Sequence, residues 1–137
     1  MAKNKSWDAS TSPDIAARQN EDDVPVFDLD VALVRLGGSV ELLQQLAVLY
    51  SEDAKRLLDE LHEGAARQDV EQVKRAAHTL KGLAANFEAT PAAQAAYRVE
   101  RLADANDLDA AVMELPKMES QFERLQQALD RQMTSAS

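Results

Sequence analysis

The side chains with the clearest chemical potential lie in the stretch Arg75-Ala76-Ala77-His78-Thr79-Leu80-Lys81-Gly82. Val70, Val73, Ala77, Leu80, Ala84 and Phe87 recur at intervals of three and four, the spacing of one buried stripe on a helix. His78 directly follows a stripe residue, so it is rotated about 100° from the core, toward solvent. One turn on, Gly82 offers no side chain to stand over the imidazole, and Lys81 lies three residues away within reach of the ring. Glycine in a helix interior costs about 1 kcal/mol against alanine, so its presence asks for a packing or a functional reason. The functional one is an exposed nucleophile with a cleared approach and a cation beside it. A neutral imidazole can attack a phosphoryl group in line to give a phosphoramidate, and Lys74 and Lys81 are placed to meet the resulting dianion.

Other chemistries fit less well. His62 also follows a leucine, but no glycine stands one turn on, and Asp59, Glu60 and Glu63 surround it in sequence; it reads as an ordinary surface residue. A di-iron site would need two inward Glu-x-x-His units, whereas Arg75 and Asp59 occupy the positions three before His78 and His62. No hydrolase nucleophile motif and no phosphate-binding glycine loop of the P-loop or kinase type is present. Cysteine is absent, which excludes disulfides and thiolate metal sites.

The elements that must position His78 read as helices throughout. Hydrophobic residues are 45% of the 137, aromatics only 4%, and leucine and alanine dominate, a mixture suited to packed helices rather than a sheet. Residues 1–25 are polar apart from Trp7 and read as a disordered tail; residues 26–133 form one domain. A short helix runs from about Phe27 to Leu36, capped by Asp28 and ended by Gly37-Gly38. Ser39 caps a second helix reaching about Ala66, with Leu42/Leu43, Leu46, Leu49/Tyr50, Ala54, Leu57/Leu58 and Leu61 inward. Asp69 caps the third, with Gln72 as its capping-box partner. Thr90-Pro91 starts the fourth, and Asp107 the fifth, whose inward set is Leu108, Val112, Leu115, Met118, Phe122, Leu125 and Leu129. Pro116 predicts a kink or restart, and Met133 to Ser137 are expected to fray. The expected fold is all-α: an antiparallel up-down four-helix bundle with a short extra N-terminal helix across one end.

The formal net charge of −9 makes nucleic acid and anionic membrane poor partners. From Arg67 to Lys81 the balance reverses: four cations against Asp69 and Glu71 leave this segment at +2 and suit an acidic partner. No signal-peptide core and no run of membrane-spanning length is visible, so the expected location is the cytoplasm.

Ala77-His78-Thr79-Leu80-Lys81-Gly82, followed by Ala84-Ala85 and Asn86, resembles the signature of histidine-containing phosphotransfer (HPt) domains, and the helix order extends the resemblance over residues 27–131. The resemblance implies a phosphorelay carrier without kinase activity of its own, with His78 as phosphoacceptor, Lys81 steadying the phosphoryl group and Gly82 giving access. Implied partners are receiver domains of response regulators and hybrid histidine kinases, which supply the phosphoaspartate and the Mg²⁺; no cofactor or metal is expected on this chain. Lys74, Arg75, Leu83 and Ala85 would contribute to docking, and the carrier is expected to be monomeric. Two positions depart from the family pattern: Leu83 replaces a residue that is often serine, and Glu88 replaces a glycine ten residues after the histidine. A non-catalytic helical adaptor, or a degenerate family member that binds receivers without accepting phosphate, is the alternative.

Overall fold

The computed structural model describes residues 28–136; the expected tail of residues 1–25, Trp7 and Phe27 lie outside them. Four of the five expected caps are in place: Asp28, Ser39, Asp69 and Asp107 each accept a hydrogen bond from the backbone N–H three residues on. Each satisfies one of the donors that a helix start leaves without a partner. In chain order the helices are α1 (Leu29–Arg35), α2 (Val40–Ala66), α3 (Val70–Asn86), α4 (Thr90–Asp104) and α5 (Leu108–Ala136), with no strand among the described residues.

Three connections share one design. Gln68, Glu88 and Asn106 take left-handed conformations with φ of 57°, 54° and 61°. The next residue, Asp69, Ala89 or Asp107, donates its N–H back to the carbonyl of Gly64, Ala84 or Leu102. That residue then accepts the first bond of the following helix, so it both closes one helix and opens the next. This explains why Thr90 is not a cap. Ala89 fills that place without a side-chain hydrogen bond, and Thr90 is already helical, ahead of Pro91. Gln72 likewise closes no capping box: its amide donates across to the Glu60 carbonyl at 2.8 Å and to Glu63 Oε1 at 2.9 Å, tying α3 to α2.

The helix starts and tight turns fold α2–α5 into the expected antiparallel bundle, and α1 meets α2 at 105°, lying across one end. Leu43, Tyr50, Leu57, Leu61, Val73, Leu80, Phe87, Val99, Leu115, Met118, Phe122, Leu125 and Leu129 fill the core. Ala76, Ala77, Ala84, Ala92, Ala95, Ala96 and Ala103 are buried as well, which makes α3 and α4 the most extensively paired helices. Tyr50 sits edge-on to Phe87, stacks near Phe122 and donates its hydroxyl to the Phe122 carbonyl. Burial raises its pKa far above the ordinary phenol value. Gly64 lies on the α3 side of α2, where a β-carbon would stand 3.1 Å from Gln72 and Val73; close approach of two helices explains that glycine.

Several expected details differ. α5 is continuous through Pro116, without a restart. Pro116 is exposed, so the ladder bond it removes from the Val112 carbonyl faces water, which can replace it. The inward residue of the first α5 turn is Ala111, fully buried, while Val112 is 41% exposed. In α2, Leu43 and Tyr50 are the buried members of their pairs, and Leu42 and Leu49 face outward. The backbone of α5 is helical to Ala136. No single helix among the described residues is long and apolar enough to cross a membrane.

Candidate functional site

His78 emerges from the middle of α3 where helical phase puts it, with its side chain 65% exposed. Its surroundings come from α4. Glu100 Oε2 lies 2.7 Å from the ring Nδ1. A carboxylate only accepts, so Nδ1 carries a proton, and in the neutral ring the lone pair is on Nε2. The second oxygen, Glu100 Oε1, is buried and lies 2.8 Å from the Lys81 ammonium. Burial pushes the Glu100 carboxyl up, but the adjacent Lys81 ammonium and the hydrogen bond from His78 outweigh this and hold it below the usual carboxylate range. It is therefore an anion at neutral pH.

Tyr97, one turn earlier on α4, places its ring 5.0 Å from the Lys81 ammonium, and the Arg101 guanidinium lies 5.7 Å from the same ring. Further along the seam Lys74 pairs with Asp104 at 2.8 Å; the two hold each other charged, with the lysine raised and the aspartate lowered. A β-carbon built on Gly82 would meet nothing within 4 Å. No neighbour among the described residues requires that glycine, and the space beside it is open.

Every sequence-chosen residue lies on α3, where His78 and Gly82 are exposed and Lys81 is half-buried. Arg75 is exposed, its carbonyl accepting from the Thr79 hydroxyl. Ala85 is exposed and lines a groove with Lys81, Ala93 and Tyr97. Leu83 leans against the core and is only half-exposed. The expectation that charge beside His78 is largely basic is corrected: Glu100 and Asp104 neutralise Lys81 and Lys74 from across the seam. These partners were missed because nothing on α3 announces them, yet a signal existed. His78 and Glu100 stand eleven residues either side of Ala89, Lys81 and Tyr97 eight, Lys74 and Asp104 fifteen. An antiparallel hairpin centred on that turn aligns all three pairs.

The other histidine, His62, pairs with Glu119 at 2.6 Å on the α2–α5 side, away from the α3–α4 seam. No group of three or more potential metal-ligating side chains occurs among the described residues.

A family model described as "Hpt domain" matches residues 45–131. No curated protein matches the sequence. Among solved structures, the chain is similar to the crystal structure of histidine-containing phosphotransfer protein B (HptB) from Pseudomonas aeruginosa PAO1. The two share 23% identity with a TM-score of 0.74 over 82% of this chain and 97% of that one, a likeness of fold. With its family model spanning most of the bundle, the chain belongs to the Hpt domain family, whose members carry phosphoryl groups on histidine in phosphorelays.

Proposed function

We propose that this chain is a monomeric, cytoplasmic phosphorelay intermediate that takes a phosphoryl group from a receiver-domain aspartate onto His78 and passes it to another. The observation that carries this reading is the Nδ1–H bond to Glu100, which leaves the Nε2 lone pair directed away from the anchoring carboxylate on an exposed ring. In the transfer, that lone pair attacks phosphorus, the P–O bond to the aspartyl phosphate breaks, and the aspartate leaves as a carboxylate. The ring keeps its Nδ1 proton and becomes a phosphorylated imidazolium, whose positive charge faces Glu100. Lys81, now shared between Glu100 and the new dianion, steadies the phosphoryl oxygens.

The partner docks on the α3 strip of Arg75, His78 and Gly82, with Ala85 to one side and half-exposed Leu83 to the other. The exposed Leu42 and Leu49 of α2 extend its apolar margin. Such a contact is small and transient, as a carrier between two partners requires. The chain supplies the acceptor and its support; Mg²⁺ and the phosphoaspartate belong to the receiver.

The test is to mix the protein with a receiver domain carrying radiolabelled phosphate and to follow acid-labile, alkali-stable label. Transfer to wild type and none to His78→Gln is expected. Label retained in His78→Gln moves the acceptor elsewhere, and binding without label identifies an adaptor instead.

A further inference from the structure

Tyr97 has no packing reason to be aromatic. Its side chain lies outside the core and the residue is 45% exposed, so its ring is not buried to fill space. What surrounds it is charge: Lys81 at 5.0 Å and Arg101 at 5.7 Å from the ring centre, with Glu100 three residues on along the same face of α4. The negative face of an aromatic ring attracts such cations. The lysine ammonium is thus held by two unlike partners, the Glu100 carboxylate at 2.8 Å and the Tyr97 ring. A carboxylate binds it strongly and competes with any other anion. A ring binds it without carrying charge, limits its swing toward solvent, and leaves its N–H groups free to hydrogen-bond.

We propose that Tyr97 is a positioning residue that restrains Lys81 within reach of the group carried by His78, acting through the face of its ring and not through its hydroxyl. The inference rests on the reading that His78 accepts phosphate. It predicts that any aromatic ring suffices and that an aliphatic side chain of similar bulk does not. It also predicts that the effect vanishes once Lys81 is removed.

Phosphoramidate serves as a small donor that needs no docking. The His78 Nε2 lone pair attacks phosphorus, the P–N bond of the donor breaks, and ammonia leaves with its electron pair. Tyr97→Leu is expected to slow labelling about threefold, in line with a weak exposed cation–π contact, while Tyr97→Phe stays close to wild type. In the Lys81→Ala background Tyr97→Leu should add nothing, the signature of one residue acting through another. NMR of the unlabelled protein supplies a second readout: the Lys81 ε-methylene protons are shifted upfield by the ring in wild type and Tyr97→Phe, and not in Tyr97→Leu. Wild-type labelling unaffected by Tyr97→Leu, an equal loss in Tyr97→Phe, or full additivity with Lys81→Ala each overturns the proposal alone. Failure of wild type to take label at His78 overturns the functional reading and the proposal with it.

Discussion

A carboxylate on Nδ1 does two things for an imidazole nucleophile. It fixes which nitrogen keeps the proton, and it opposes the positive charge that grows on the ring as Nε2 bonds to phosphorus. Glu100 is placed to do both, at 2.7 Å from the ring, with its other oxygen on Lys81. The two roles separate by substitution. Glu100→Gln keeps a carbonyl acceptor for Nδ1–H but no charge, and should slow labelling of His78 about tenfold; Glu100→Ala loses the orientation as well and should cost about a hundredfold. The same residue links the site to stability. Its carboxyl is held below the ordinary value of 4.5, so its contribution is complete above that pH and is lost as pH falls through the lower, folded value. Thermal midpoints measured between pH 6 and pH 3 should therefore fall more steeply for wild type than for Glu100→Gln.

Helices α3 and α4 meet along a seam of alanines, and that close packing sets the register of every pair across it. The helix count, their order and most of the core were legible in the sequence, because caps such as Asp69 and stripes such as Val73, Ala77, Leu80 and Ala84 depend only on local spacing. The exposed His78 was legible for the same reason. Glu100 and Tyr97 were not, since facing α3 depends on where the Glu88–Ala89 turn falls, and a glutamate there replaces the glycine that usually marks it. Glu88 pays about 1 kcal/mol for its left-handed backbone, partly offset by an ion pair to Arg35 at 2.9 Å. Two glycines inside helices make the contrast between packing and access testable. Gly64 is hemmed in at 3.1 Å by Gln72 and Val73, whereas Gly82 borders open space. Gly82→Ala should raise stability by about 1 kcal/mol in a denaturant titration, leave labelling by phosphoramidate nearly unchanged, and slow transfer from a receiver domain at least about tenfold. A variant that is both stabler and equally fast with the receiver would remove access as the reason for the glycine.

Across the whole molecule, a net charge of −9 sets a long-range field that repels an acidic partner, so attraction must come from one face alone. That face is less basic than the α3 sequence implies, because Asp104 and Glu100 stand 2.8 Å from Lys74 and Lys81. Among the described residues Arg75 has no ion-pair partner, and Arg101 meets the neutral Tyr97 ring, so Arg75 on α3 and Arg101 on the outer side of α4 carry the uncompensated charge of this face. Steering acts on the rate of encounter more than on affinity and is screened within about 10 Å at 0.1 M salt. Stopped-flow association with a receiver domain should accordingly slow as salt rises, and Arg75→Gln should lower the low-salt rate about twofold to threefold with little effect at high salt. Asp104→Asn works in the opposite sense: it uncovers Lys74 without touching the His78, Glu100 and Lys81 group, so it should speed encounter at low salt while labelling by phosphoramidate stays as it was. If association is indifferent to ionic strength and to both substitutions, docking is driven by the apolar margin of Leu42, Leu49 and Ala85, and the arginines serve another purpose.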